Sequence, residues 1–423
     1  MIANIRPGRI SGYIKAPPSK SIAHRAVLAA GLAQGQSRIR NLTNNHDVRA
    51  TMTAVAQMGA DLCVRESWTD IAGKGGIGTI ARPVNCCESG STLRFLIPVL
   101  SLTGQQVEFT GKGRLFQRPQ DVYKKIFEER GCLFRQTDTG VTVKGSLRPG
   151  NYEVAGNVSS QFISGLLFAL PLLKKSSTLR ILPPFESRPY VEMTMEVLAD
   201  FGVHVYWDDE DDLLLQIPAP QRYLNREYTV EGDYSQAAFL AVLGALCGGI
   251  RLRELKPQSL QGDAVILDIL RRCGADFGWE GDELVFRKSA LTATTVDLAP
   301  CPDLGPILMV LAMFCKGTTI ITNAGRLRLK ESDRIASMQQ ELAKFGAVVQ
   351  VDGDTIRIDG CRTIQPSVLS SHNDHRVAMS LAVAALAGGW QAVIRGAEAV
   401  AKSWPGFFDM LKTLGAGVSY QDE

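Results

Sequence analysis

The sequence predicts an α/β protein of two similar domains, each made of three repeated units packed around buried helices. Three observations carry this: a 423-residue chain too long for one ordinary core, a helix-glycine-strand pattern that recurs six times, and a series of strongly apolar helices alternating with it. The first series closes on Gly59 in AVAQMGADLCV, Gly131 in KIFEERGCLF, Gly202 in EVLADFGVHV, Gly274 in DILRRCGADF, Gly346 in QELAKFGAVV and Gly415 in DMLKTLGAGV, at steps of 69 to 72 residues. Glycine just past a helix suits the left-handed closing position, and the residues after it restart as a strand. The second series begins near His24, Ser91, Ser160, Ser235, Asp303 and His375. Those helices are apolar on nearly every side, which predicts burial. Each unit reads buried helix, strand, outer helix, strand, strand. One unit cannot cover its own helix, so three gather around three helices and six make two domains.

The sixth unit reaches Tyr420 with three residues left, so its last strand must come from elsewhere. Residues 2 to 14, with Ile5, Ile10 and Ile14 as apolar positions, lie outside the first unit and are expected to fill the gap. The chain then starts in its C-terminal domain. One domain comprises residues 14–229 and the other residues 1–13 with 230–423, joined by a two-strand hinge near Gly12 to Lys15 and Thr229 to Gly232. Such a hinge suits closure over a ligand.

Composition excludes several classes. With 45% apolar and 21% charged residues the chain is globular rather than disordered or fibrous. The start MIANIRPGRISG has no apolar signal core, and no apolar run reaches the roughly 20 residues of a membrane span, so a cytoplasmic protein without membrane contact is expected. Nine scattered cysteines, never spaced as CxxC, signal neither a disulfide framework nor a zinc knuckle. A net charge of +3, without basic tails or interleaved aromatics, argues against a nucleic-acid partner. Positive charge must therefore be gathered locally.

The starts of the buried helices are where anions would bind, since unpaired N–H groups and the positive end of the dipole meet there. They read PSKSIAHR (18–25), ESGSTLR (88–94), NVSSQF (157–162), EGDYSQ (231–236), CPDLGP (301–306) and NDHR (373–376). Capping explains the serines and aspartates singly. It does not explain Lys20, Arg25, Arg94 and Arg376, which a bare helix start disfavours and a bound anion would neutralise. Three more cationic stretches are GKGRLFQRP (111–119), RLRLKESDR (326–334) and AKSWP (401–405). In the second, Lys330, Glu331 and Arg334 are expected on the first turn of an outer helix whose core stripe is Ile335, Met338 and Leu342. Together these cations suffice for two phosphate or carboxylate groups. No P-loop, dinucleotide fingerprint or nucleophile elbow is present. His372 and His375 have no third ligand at metal-site spacing. Two anionic groups with local acids and bases, and neither cofactor nor metal, point to transfer chemistry on a phosphorylated small molecule.

As an ordered set, PSKSIAHR, SGSTLR, QRP, VSSQF, SRPY, EGDYS, PD, KESDR, DHR and AKSWP resemble the motifs of the 5-enolpyruvylshikimate-3-phosphate (EPSP) synthase family, over about Lys15 to Phe408. The resemblance implies domains of three βαβαββ units each, an inverse α/β prism, closing over phosphoenolpyruvate and shikimate 3-phosphate. It implies a cofactor-free monomer. Carried over position by position, Lys20, Ser21, Arg25, Ser159, Ser160, Gln161, Ser187, Tyr190, Asp303 and Lys330 look like the shikimate 3-phosphate site. Lys20, Gly90, Arg118, Gln161, Arg334, Arg376 and Lys402 look like the phosphoenolpyruvate site. Asp303 resembles the family's base near the 5-hydroxyl, and Glu331 with Lys20 the pair that handles the proton at the methylene carbon. Addition would give a tetrahedral intermediate and elimination of phosphate an enol ether, chemistry that needs a general acid, a general base and fixed cations.

Two positions depart from the pattern: Glu88 stands where many members have Asn, and Arg326 replaces an Asn that touches substrate in some. A carboxylate at Glu88 repels phosphoenolpyruvate unless an arginine pairs it. Two other readings compete. The related enolpyruvyl transferase acting on UDP-N-acetylglucosamine carries a reactive Cys in the loop that here reads GKGRLFQRP, without one. A non-catalytic anion-binding protein of the same fold has no use for Asp303 and Glu331 among its cations.

Overall fold

In a computed structural model describing residues 1–361 and 367–422, the chain forms two compact units, residues 20–231 and residues 1–19 with 232–423. Each contains three four-stranded sheets, and in every sheet one parallel strand pair is followed by two antiparallel pairings.

In the unit of residues 20–231 the buried helices are Lys20–Leu32, Gly90–Ser101 and Ser160–Ala169, each followed by a strand and then by an outer helix, His46–Gln57, Asp121–Glu129 or Arg188–Asp200. Every residue from Ile22 to Leu32 is buried, because apolar residues and small alanines line all sides of that helix. Removing a large side chain from such a position costs about 2–5 kcal/mol. Pro98 interrupts the second helix and leaves the Arg94 carbonyl without its helical donor. The Tyr123 hydroxyl donates to that carbonyl at 2.6 Å, and Gly165 makes the approach possible, since a Cβ there would lie 2.2 Å from the hydroxyl.

In the other unit the buried helices are Tyr234–Cys247, Gly305–Phe314 and His375–Gly388, and the outer ones Ile266–Arg272, Arg334–Lys344 and Phe407–Thr413. The strand Ile2–Arg6 lies antiparallel between Ala392–Arg395 and Gly417–Gln421 and supplies the last strand of the sixth unit; of the expected residues 2 to 14, Gly12 to Ile14 join another sheet instead. The chain passes between units at Ser19/Lys20 and Glu231/Gly232. The first passage falls later than the expected Gly12 to Lys15, because the strand Gly12–Lys15 pairs in parallel with Ile250–Arg253. Reciprocally, Glu227–Thr229 pairs in parallel with Gln34–Arg40. At each passage the strand written ahead of a buried helix thus completes a sheet of the unit the chain is leaving.

The six helix-closing glycines all adopt positive φ, from 68° at Gly131 to 105° at Gly59, a conformation costly for any residue with a Cβ. No helix among the described residues is long and apolar enough to cross a membrane.

Candidate active site

In the unit of residues 20–231 most candidate residues stand at the starts of its three buried helices, while Arg118 follows the short turn Leu115–Gln117 and Ser187 and Tyr190 open the outer helix Arg188–Asp200. The first helix begins at Lys20, four residues ahead of the expected His24, which puts Lys20 and Ser21 in its first turn. Lys20 Nζ lies 3.0 Å from Asp47 Oδ2, on the first turn of the following outer helix. Beneath them His24 Nδ1 meets Thr51 Oγ1 at 2.7 Å, and Thr51 meets Thr92 at 2.7 Å. Burial, then the charges of Lys20 and Arg25, hold His24 well below the usual histidine range, so this network is neutral.

Arg25 is 2% exposed, one turn into the helix. Its guanidinium donates to Thr194 Oγ1 at 2.8 Å, to the Tyr190 carbonyl at 3.0 Å and to the Ser21 carbonyl at 2.6 Å. Burial pulls it down to about 10, and it remains charged at neutral pH. Arg25 thus ties Ser21 to the helix Arg188–Asp200, whose cap Ser187 is buried in the left-handed region.

Ser89 caps the second buried helix by accepting from Thr92 N at 3.1 Å, and Gly90 opens it. A Cβ on Gly90 would lie 2.7 Å from Arg118 Nη1, so this glycine makes room for an arginine. Arg94 joins helices two and three: it donates to Gln161 Oε1 at 2.9 Å and to the Pro119 carbonyl at 2.9 Å, over the Phe162 ring. Gln161 Nε2 donates in turn to Ser91 Oγ at 2.9 Å. Ser159 caps the third helix by accepting from Gln161 N, and Ser160 opens it. Glu88 turns onto the 111–114 loop, where a Cβ on Gly113 would meet its Oε2 at 2.6 Å.

In the other unit Asp303 sits on the short turn Pro302–Leu304 ahead of a buried helix. Three cations converge on its carboxylate: Lys330 Nζ at 3.2 Å, Arg334 Nη1 at 3.0 Å and Arg376 Nη2 at 3.2 Å. Arg334 also donates to Asp374 through Nε at 2.9 Å and Nη2 at 3.3 Å. Burial alone would lower Arg334 and raise Asp374. Their pairing, with Asp303 and Glu331 also acting on Arg334, outweighs burial, raising the arginine and lowering the carboxyl. Asp374 in addition caps the helix His375–Gly388 by accepting from Arg376 N at 2.9 Å.

Glu331 Oε2 contacts His375 Nδ1 at 2.9 Å and Lys402 Nζ at 3.9 Å. Lys402 Nζ donates to the Asn373 carbonyl at 2.6 Å. Lys330 and Glu331 are not on the outer helix, contrary to the expectation from spacing. Asp333 accepts from Ile335 N and Ala336 N and so starts the helix at Arg334, leaving Lys330 extended. The expected stripe of Ile335, Met338 and Leu342 is buried. Deeper, Asp263 accepts from the Ser235 hydroxyl; burial, then Asp303, push its carboxyl up to about 6 against the pull of Arg376.

Glu331, Asp374 and His375 place one ligand atom each within 4.8 Å of one another. Arg334 already occupies both Asp374 oxygens and Lys402 stands near Glu331, so these donors are compensated by cations and poorly suited to a metal.

Asp47, His375, Asp263 and the Asn373 carbonyl are the groups that sequence reasoning missed. His375 was visible as a helix start and as half of a metal pair without a third ligand, but not as a partner of Glu331. Asp47 pairs with a lysine 27 residues away, a separation without any local signal.

Comparison with known proteins places the chain in a family. Residues 5–411 match the family model of EPSP synthase (3-phosphoshikimate 1-carboxyvinyltransferase). A 3-phosphoshikimate 1-carboxyvinyltransferase of Clostridium beijerinckii is 40% identical over 422 residues, covering 97% of each chain. That of Clostridium acetobutylicum is 40% identical over 423 residues, 98% of this chain and 97% of the other. The solved EPSP synthase of Acinetobacter baumannii has a TM-score of 0.83 at 25% identity, covering 99% of this chain and all of that one. The enolpyruvyl transferase NikO of Streptomyces tendae, at 19% identity and a TM-score of 0.79, covers 99% of this chain and 98% of its own and shares the fold. With the family model spanning nearly the whole chain and relatives this similar over their full length, the chain belongs to the EPSP synthase family.

Proposed function

We propose that the chain transfers the enolpyruvyl group of phosphoenolpyruvate to the 5-hydroxyl of shikimate 3-phosphate and releases phosphate. The observation that carries this reading is the Asp303 carboxylate among Lys330, Arg334 and Arg376, in the same unit as the contact of Glu331 with His375. An acid-base set among fixed cations is what addition to, and elimination from, an anionic enol ester requires.

In the first step Asp303 takes the proton of the 5-hydroxyl, and that oxygen bonds to C2 of phosphoenolpyruvate. Glu331 and Lys20 manage the proton that goes to the methylene carbon, making it a methyl. The tetrahedral intermediate carries both the new ether and the phosphate. In the second step the C2–O bond to phosphate breaks, the methyl returns a proton, and the enol ether forms. Arg118, Arg334, Arg376 and Lys402, with Gly90 and Gln161, hold phosphoenolpyruvate. Ser21, Ser159, Ser160, Ser187, Tyr190, Gln161 and Lys330 hold shikimate 3-phosphate, and Arg25 acts mainly by fixing Ser21 and Tyr190. With this reading go a monomer and a cytoplasmic setting, the former checked by light scattering.

Phosphate release from phosphoenolpyruvate is measured with shikimate 3-phosphate, with UDP-N-acetylglucosamine and with no acceptor. Release only with the first supports the reading. Release with the second, or none with either, contradicts it.

A further inference from the structure

Glu341 lies in the second half of the outer helix Arg334–Lys344 and is 0% exposed. A carboxylate is buried at heavy cost unless charge and hydrogen bonds satisfy it. Its Oε2 accepts from Lys344 Nζ at 2.7 Å and from Ser370 N at 3.0 Å, and its Oε1 meets His372 Nε2 at 2.9 Å. Two of these three partners belong to the short segment that leads into the buried helix His375–Gly388.

That segment has an unfavourable backbone. His372 and Asn373 are consecutive residues with side chains, and both adopt positive φ, 51° and 54°. Such a pair persists only where its surroundings hold it. Ser370 Oγ accepts from His372 N and Ser371 Oγ from Asn373 N, each at 3.1 Å, and Glu341 anchors the imidazole itself. The turn's products are two groups described above: the Asn373 carbonyl that receives Lys402, and next in the chain the Asp374 carboxylate that receives Arg334.

We propose that Glu341 is a positioning residue for the phosphoenolpyruvate cations: by gripping His372 it fixes the left-handed His372–Asn373 turn, and the turn aims Lys402 and Arg334. This rests on the reading of Lys402 and Arg334 as phosphoenolpyruvate ligands. Glu341 acts through the segment that it holds, by way of His372 and Ser370 N.

The test uses the full chain and steady-state kinetics for both substrates, with Glu341→Gln, His372→Ala and Lys344→Met. His372 is 26% exposed, so its truncation avoids the folding risk of altering the buried carboxylate. A displacement of about 1 Å at a binding group costs up to roughly a hundredfold, so Glu341→Gln and His372→Ala should each raise the KM for phosphoenolpyruvate about tenfold to a hundredfold. The KM for shikimate 3-phosphate should move far less. Lys344→Met, which removes a partner of the same carboxylate outside the turn, should leave both constants near the parent's. In a Lys402→Ala background, His372→Ala should cost clearly less than it does alone, because the group it aims is gone. An unchanged phosphoenolpyruvate KM in His372→Ala, equal rises for both substrates, or full additivity with Lys402→Ala overturns the inference while the parent's activity stands. A parent without turnover on these substrates sinks the functional reading and this inference with it.

Discussion

Gly90→Ala puts one methyl group where the structure has the least room for it. The new Cβ would lie 2.7 Å from Arg118 Nη1 and 3.0 Å from its Cζ and Nη2, against an ordinary contact of at least 3.4 Å. The guanidinium must therefore retreat by about 0.7 Å. A charge-assisted hydrogen bond near 2.9 Å is effectively lost by 3.6 Å. Losing one to a bound anion costs about 1.5–3 kcal/mol, which is a roughly 10- to 150-fold rise in the KM for phosphoenolpyruvate. The helix itself should tolerate the change: Gly90 opens it without positive φ, and alanine is the better helix former by about 1 kcal/mol. Steady-state kinetics in each substrate and a thermal melt separate these effects. The expected result is a large, selective rise for phosphoenolpyruvate, a small change for shikimate 3-phosphate and an undiminished melting temperature. Equal losses in both substrates with a lower melting temperature would refute the steric argument and indicate a damaged helix start.

Glu331→Gln keeps the size and one acceptor for His375 but removes the ionisable group, so turnover should fall about 10²- to 10⁴-fold with little change in either KM. More than half of the parent's turnover would remove Glu331 from the mechanism. Asp263 provides a pH test. Burial, then Asp303, push its carboxyl from the ordinary aspartate range up to about 6, so the stability its protonated form contributes is whole below about pH 4 and is lost as pH rises through 6. Asp263→Asn cannot ionise, and between pH 4 and 7 it should gain on the parent by something on the order of 1–3 kcal/mol. His24 is depressed, so its contribution is present above the ordinary histidine value and is lost as pH falls from there through its folded value; it titrates in both proteins and cancels from the difference. Denaturant unfolding at several pH values checks this, and a pH-independent difference between the two would contradict it.

The architecture was legible because its signals are local and repeated. A glycine past each outer helix and an apolar helix in each unit follow from backbone sterics and burial, and the shortfall at Tyr420 pointed to residues 2 to 14, of which the strand Ile2–Arg6 fills the gap. What stayed hidden was the exchange of the strands Gly12–Lys15 and Glu227–Thr229, since nothing in a short strand states which parallel neighbour it joins. Capping misled the reading once: KESDR has helical spacing, but Asp333 satisfies the helix N–H groups and leaves Lys330 and Glu331 outside. In the site, the cations were visible because they stand at helix starts where they are otherwise disfavoured. Of their carboxylate partners, Asp303 and Glu331 were legible, but others were not. Asp47, Asp263 and Glu341 lie on outer elements, spaced like ordinary surface acids, and only folding brings them to Lys20, Ser235 and His372.

In addition-elimination the C2–O bond of phosphoenolpyruvate to phosphate breaks only after its methylene carbon has become a methyl. Running the reaction in D2O with phosphoenolpyruvate and shikimate 3-phosphate, and reading the product by proton and phosphorus NMR, tests this most directly. Addition-elimination predicts one free phosphate per enol ether formed, with deuterium in the product's methylene group. Phosphoryl transfer would instead place a second phosphate on the acceptor and release pyruvate, and direct substitution would leave both methylene protons in place; either result contradicts the claim.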